Sequence, residues 1–152
     1  MGRACASRDF PGRLSDAEIL WYSTERWADW VDGFARVLGC QGDWPRTGAV
    51  LDWESRPGGR GRVQERVSSY APGVGQTVQV TDSRLAGIQT VAFEALDGGV
   101  SIELTLEYRL TPGGPAAVVM DLLFIRRAVA DSLRRTLERF GRELAAQDAA
   151  LR

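Results

Sequence analysis

Apolar and polar residues alternate along this chain with two different periods, and the change of period divides it. Val100, Ile102, Leu104, Leu106, Tyr108 and Leu110 fall on one side of an extended backbone, with Ser101, Glu103, Thr105, Glu107 and Arg109 on the other. A period of two is what a β-strand with one buried face requires. Shorter alternations precede it. Ala49 to Ser55 sets Leu51 and Trp53 against Asp52 and Glu54, and Arg62 to Tyr70 puts Glu65 on the face of Val63 and Val67. Thr77 to Thr81 and Gln89 to Ala95 follow, the latter with Gln89, Val91 and Phe93 together. Turn residues separate the runs: Gly42 to Pro45, Pro57 to Gly61, Ala71 to Gly73, and Asp97-Gly98-Gly99, which reads as a tight hairpin. Ala35 to Gln41 reads as a weak strand, and Ala4 to Phe10 as a short, irregular first strand.

After Pro115 the period becomes helical. Placed at about 100° per residue, Val118, Leu122, Ile125, Val129, Leu133, Leu137, Phe140 and Leu144 form one stripe. The opposite face carries Arg127, Asp131, Arg134, Arg135, Glu138 and Arg142. Asp131 to Arg135 and Glu138 to Arg142 set acid before base one turn apart, the orientation favoured on a solvated helix face. Arg126 falls inside the apolar stripe. Near the other end, Ser15-Asp16-Ala17-Glu18 has the form of a capping box and predicts a short helix carrying Ile19, Leu20 and Trp21. A second short helical piece over Thr24 to Trp30 sets Trp27 and Trp30 on one side. Hairpin strands followed by one long one-sided helix predict an α+β fold, with helices gathered on one face of an antiparallel sheet. There are no repeats and no linker-like stretch, so residues 1–152 are expected to form a single domain.

Composition removes whole classes of chemistry. All 19 basic residues are arginines, and the chain has no histidine, lysine or asparagine. Without histidine there is no Ser-His or Cys-His nucleophile pair and no imidazole ligand. Without lysine there is no Schiff base and no phosphate-loop lysine. Cys5 and Cys40 lack metal-ligand spacing, so neither a metal nor another cofactor is expected. A net charge of −1 gives no drive towards anionic partners, and the arginines after Pro115 are interleaved with acids, which argues against nucleic acid. Met1 to Phe10 lacks the apolar core of a signal peptide. Asp121 and Arg126 split the longest apolar run, so no membrane span is expected. A cytoplasmic protein is the expectation, and the arginine bias suits a GC-rich bacterial genome.

The order of elements resembles the SRPBCC superfamily, the helix-grip proteins that include START domains and bacterial polyketide cyclase/dehydrase-like proteins. Four strings carry the resemblance: RWADWVDGF (26–34), GDWPRTGAVLDWES (42–55), GRGRVQERV (59–67) and DLLFIRRAVADSLRRTLERFGREL (121–144). It covers nearly the whole chain. It implies a helix-grip (START-like) fold: a curved antiparallel sheet of six to seven strands wrapped around a long C-terminal helix, with two short helices near the N-terminus. It implies also a deep, mostly apolar cavity between sheet and helix, which across the superfamily holds lipids, polyketides, hormones or aromatic compounds. No catalytic motif is shared across the superfamily, so the resemblance carries no role onto a residue here.

The informative residues are polar ones on inward faces, because burying a charge is costly unless it is paired. These are Glu65, Gln89, Arg126, Thr136 at the border of the stripe, and Asp82, which continues the face of Val78 and Val80. Trp30, Trp53, Phe93, Leu106, Tyr108, Val129 and Leu133 are expected to supply the apolar lining. In a purely structural reading Arg126 reaches out to the cavity mouth and Glu65 forms a core salt bridge. In a functional one these groups are the polar end of a pocket, fixing a ligand's carbonyl or hydroxyl, and Glu65 and Arg126 meet there directly or share a water.

Three functions remain open. The first is binding of a hydrophobic or aromatic small molecule, lipid- or polyketide-like. The second is a polyketide cyclase/dehydratase-type enzyme without cofactor, in which buried Glu65 or Asp82 moves a proton while Arg126 or Tyr108 steadies an enolate oxygen. The third is a protein-interaction module, such as a chaperone-ATPase activator or a quinone carrier, docking through the arginine-rich face of the last helix.

Overall fold

Hairpin turns fold the alternating runs back on one another into a single antiparallel sheet. The computed structural model describes residues 1–111 and 118–151, without the side chains of 118–123. Strand β1 (Gly2–Pro11) leads into helices α1 (Leu14–Tyr22) and α2 (Trp27–Trp30), joined by a turn of 3-10 helix over Thr24–Arg26. Strands β2 (Phe34–Gln41), β3 (Val50–Ser55), β4 (Arg62–Ala71), β5 (Gly75–Thr81), β6 (Leu85–Leu96) and β7 (Gly99–Leu110) follow, then helix α3 (Val118–Ala150). The seven strands lie in the order β1-β7-β6-β5-β4-β3-β2, so the chain's first strand closes the sheet beside its last. This is the α+β architecture that the alternation and the long stripe imply, in the helix-grip form that the resemblance implies.

Two local expectations fail. The first strand is neither short nor irregular: β1 spans ten residues and pairs with β7 without interruption from Gly2↔Tyr108 to Pro11↔Gly99. Its inward residues include only Ala4, Ala6 and Phe10 as buried apolar groups, and two small side chains make a weak alternation signal. The capping box is also not formed. Helix α1 starts at Leu14 with Arg13 at its N-cap and no side-chain cap. Glu18 instead accepts a hydrogen bond from the Gly73 backbone N–H at 2.7 Å, tying the β4–β5 turn to α1.

Helix α3 lies along β1 and against α1 and α2. Leu133, Leu137, Phe140 and Leu144 are buried, while Ile125 and Val129 are only partly so. The side chains of Val118 and Leu122, placed in the same stripe, lie outside the described residues. Aromatic rings pack against the second half of the helix. Phe140 meets Trp30 at 5.0 Å, Trp21 at 5.2 Å and Phe10 at 5.6 Å between ring centroids. Gly141 makes the last contact possible, because a Cβ there would stand 2.6 Å from the Phe10 ring. A helix-interior glycine costs ~1 kcal/mol relative to alanine, and here it admits a phenyl ring against the helix backbone. Among the described residues no helix is long and apolar enough to cross a membrane, and no group of His, Cys, Asp or Glu could hold a metal ion.

Candidate functional site

A cavity of about 60 Å³ lies between the inner face of the sheet and helices α2 and α3. Its apolar walls come from Trp21, Trp27 and Trp30 on the helical side and from Val78, Val80 and Leu104 on the sheet. Polar groups enter from three directions.

The first is the β3–β4 pair. The register Leu51↔Glu65 and Trp53↔Val63 sets Trp53 and Glu65 diagonally opposite on the inward face. The Trp53 indole N–H donates to Glu65 Oε2 at 2.6 Å. Glu65 is only 6% exposed. Burial pushes its carboxyl above the usual range; the Trp53 hydrogen bond and the Arg60 charge pull it back only in part.

The second is the turn between β3 and β4, which supplies Arg60. Its guanidinium lies over the Trp53 ring, 5.6 Å from the centroid, in cation–π geometry. Its Nε donates to Asp82 Oδ2 at 2.7 Å, and the Asp82 side chain has no solvent exposure. Asp82 Oδ1 accepts from the backbone N–H groups of Arg84 (2.7 Å) and Leu85 (2.9 Å), closing the β5–β6 turn. Asp82 is thus committed to holding the turn and anchoring Arg60. Arg60 Nη2 is buried with no hydrogen-bond partner among the described residues, and so is the Trp30 indole N–H.

The third is a polar seam where Asp32, just after α2, meets α3. Asp32 Oδ2 accepts from the Ser132 hydroxyl at 2.8 Å, and Arg135 donates to both carboxylate oxygens at 3.2 and 3.1 Å. The Asp32 backbone N–H donates to Thr136 Oγ1 at 3.0 Å. Burial would raise the Asp32 carboxyl, but the hydrogen bonds from Arg135 and Ser132 and the charges of Arg135 and Arg139 outweigh it. The net shift is downward.

Of the residues singled out from the sequence, Trp30, Trp53, Glu65, Gln89, Leu133 and Thr136 border this cavity. Asp82 stands behind it, acting through Arg60. Phe93 is buried but packs edge-on against Trp21 at 6.0 Å. Leu106 is core, and Val129 is partly buried against that core. Tyr108 is buried where β7 crosses Gly2, whose lack of a Cβ makes room for the ring. Burial pushes the Tyr108 hydroxyl up, and the Arg126 charge opposes the shift. Arg126 itself is exposed, and its expected contact with Glu65 is not formed: Trp53 holds that carboxylate. Ile125, its neighbour in the stripe, is itself only partly buried, and Arg126 at the edge of the stripe reaches solvent.

Periodicity missed Arg60 and Asp32 because both lie between elements, where it carries no information. Gln76 also borders the cavity, and extending the Val78–Val80 alternation back by one step would have found it.

Comparison with known proteins places the chain. Residues 15–145 match the family described as polyketide cyclase / dehydrase and lipid transport. No curated protein matches the sequence. A solved structure of a Thermus thermophilus protein superposes with a TM-score of 0.76 at 15% identity, covering 95% of this chain and 98% of that one. A START superfamily protein from Mycobacterium smegmatis gives 0.72 at 10% identity, covering 97% and 99%. A Thalictrum flavum norcoclaurine synthase variant, solved with a transition-state analogue, gives 0.69 at 13% identity, covering 96% and 95%. At these identities the likeness establishes a shared fold.

Proposed function

Because the chain belongs to the polyketide cyclase / dehydrase and lipid transport family, we propose that it binds a hydrophobic, aromatic small molecule in the cavity between the sheet and α3. One observation supports this reading above the others. The Glu65 carboxyl, the Nη2 of Arg60 and the Trp30 indole N–H are buried beside tryptophan and valine walls. A core built only for stability gains nothing from such groups, since each costs free energy to desolvate. An apolar pocket with a few convergent polar groups is the usual form of a small-molecule site.

The cavity, about 60 Å³, is smaller than the ~150 Å³ of an engineered cavity that takes up benzene. A ring therefore enters only as the walls part. The α3 residues at this wall are Ser132, Leu133 and Thr136, one turn after the partly buried Val129. Native mass spectrometry of protein purified from its own host tests the proposal. We expect a co-purifying aromatic or lipid-like molecule at one per chain, displaced by added aromatic ligand. Protein that carries no such molecule and takes up no aromatic compound contradicts the reading.

A second reading is favoured by the same carboxyl. Glu65, whose carboxyl burial pushes above the usual range, would serve as the general acid of a cyclase/dehydratase-type reaction. Turnover of an aromatic polyketide mimic, lost in Glu65→Gln while binding is kept, supports the enzyme. Binding without turnover in the unaltered protein supports the carrier.

A further inference from the structure

The outer face of the sheet, turned away from the cavity, carries a pattern that solvation alone does not require. At its centre lies the seam between β5 and β6, whose outward residues are Thr77, Gln79, Thr81, Ala86, Ile88, Thr90 and Ala92. None is charged, although 26% of the chain is. Ile88 is 48% exposed there, and the Thr77 and Thr90 hydroxyls bond across the seam at 3.3 Å. Charge returns on the flanking strands with opposite sign. β4 turns Arg62 and Arg66 outward, and β7 turns Glu103 and Glu107 outward, with Arg109 near its end. A centre without charge and a charged rim are the composition of a protein interface.

The registers set these residues in rows. Arg66, Gln79, Ile88 and Glu107 are successive partners across β4, β5, β6 and β7, and Gln64, Thr81, Ala86 and Arg109 form the next row. A two-fold axis along the β5–β6 seam exchanges β5 with β6 and β4 with β7, so each row meets itself reversed. Arg66 then falls on Glu107 of the second copy, twice by symmetry. Ile88 falls on Gln79, Thr81 on Ala86, and Arg109 on Gln64 beside Asp52. No like charges are opposed in these rows. Within one chain Arg66 and Glu107 stand three strand spacings apart, about 14 Å, beyond the reach of an ion pair. Glu107 has only a loose contact with Arg3 at 3.8 Å, both side chains being largely exposed. The sheet curves, and its outer face is convex. Short side chains at the seam let two such faces touch, while long arginine and glutamate side chains span the gap on either side.

We propose that the outward face of β4 to β7 is the interface of a two-fold dimer of this chain. Four strands at ~4.8 Å spacing, each contributing about eight residues at ~3.4 Å, give roughly 500 Å² per copy. The total of about 1,000 Å² is at the lower bound for a specific interface, so the dimer is a reversible one, forming at roughly 10–100 µM.

Sedimentation equilibrium from about 5 to 500 µM, spanning that range, tests this. The unaltered protein should show a monomer–dimer equilibrium. Arg66→Glu and Glu107→Arg each oppose like charges twice and should weaken dimerisation at least about tenfold. Both positions are exposed, so the core is untouched. Combining the two substitutions restores opposite charges and should return the affinity to within about threefold of the unaltered protein. Since the two residues cannot meet within a chain, that recovery can come only from a second copy. A monomer at every concentration overturns the proposal and leaves this face to solvent or another partner. Undiminished dimerisation in either single variant overturns it too, as does a combined variant as weak as the singles. The side-chain resonances of Ile88 give an independent readout. They should shift as the dimer forms, and no change on dimerisation overturns the proposal.

Discussion

The two halves of α3 meet the rest of the protein in different ways. From Leu137 onward the helix buries Leu137, Phe140 and Leu144 against a cluster of rings, and Arg26 pins it from outside through Glu143 at 3.0 Å. Ahead of Leu133 the same helix leaves Ile125 and Val129 half-covered and Phe124 76% exposed. Leu133 and Thr136 sit at the boundary, where the polar seam with Asp32 begins and the cavity opens. One helix is thus packed in two ways: its second half against rings, while Ile125 and Val129 in its first half are only partly covered.

Phe140→Ala should break the packed end and have the largest effect. Phe140 has no exposure and touches the rings of Phe10, Trp21 and Trp30, so a loss of about 3–5 kcal/mol in urea unfolding is expected. Leu133→Ala probes the boundary. It should cost about 2 kcal/mol, the low end for leucine truncation, because Leu133 already borders open space. It should also change the affinity for an aromatic ligand. Equal losses at the two sites would erase the contrast between the halves.

Glu65→Gln should act in the opposite direction. Glutamine keeps an acceptor for Trp53 and removes a charge that is costly to bury, so stability near neutral pH should rise by about 1 kcal/mol. The folded-state carboxyl is pushed above its unfolded value of about 4.3. Its contribution is fully present below that value and lost as pH rises through the folded value. Denaturation midpoints across pH 4–8 should fall with pH in the unaltered protein and fall less in the variant. Asp32 has the reverse sign. Its carboxyl is depressed, so its contribution is present above the unfolded value and lost as pH falls through the folded one. Asp32→Asn should remove that acid-limb loss by weakening the seam. Arg126→Met should have the smallest effect, within ~0.5 kcal/mol, as expected for an exposed side chain.

The fold was legible because period-two runs and a long helical stripe are strong signals that local detail rarely overrides. Val100 to Leu110 and the second half of the stripe sit where the alternation directs them. β1 was harder to read because Ala4 and Ala6 bury little area, although they pair along a full strand. The Ser15–Glu18 box satisfied a motif, yet Glu18 went to the Gly73 N–H, a partner 55 residues away that no local pattern contains. At the cavity the inward parity of Glu65, Gln89 and Trp53 was visible, but Arg60 and Asp32 were not. Turn residues are positioned by the hydrogen bonds of the turn and not by a repeating face. Arg126 shows the converse failure, since a helical wheel describes direction and not the depth of what lies opposite.

The most direct test of where a ligand sits is a set of nuclear Overhauser contacts between a bound aromatic probe, acetophenone, and protein side chains. The account predicts contacts from its ring protons to Leu133, Val78, Val80 and Trp53, and none to Leu137 or Leu144 in the packed end. Contacts confined to exposed apolar residues such as Phe124 or Ile88 would contradict it.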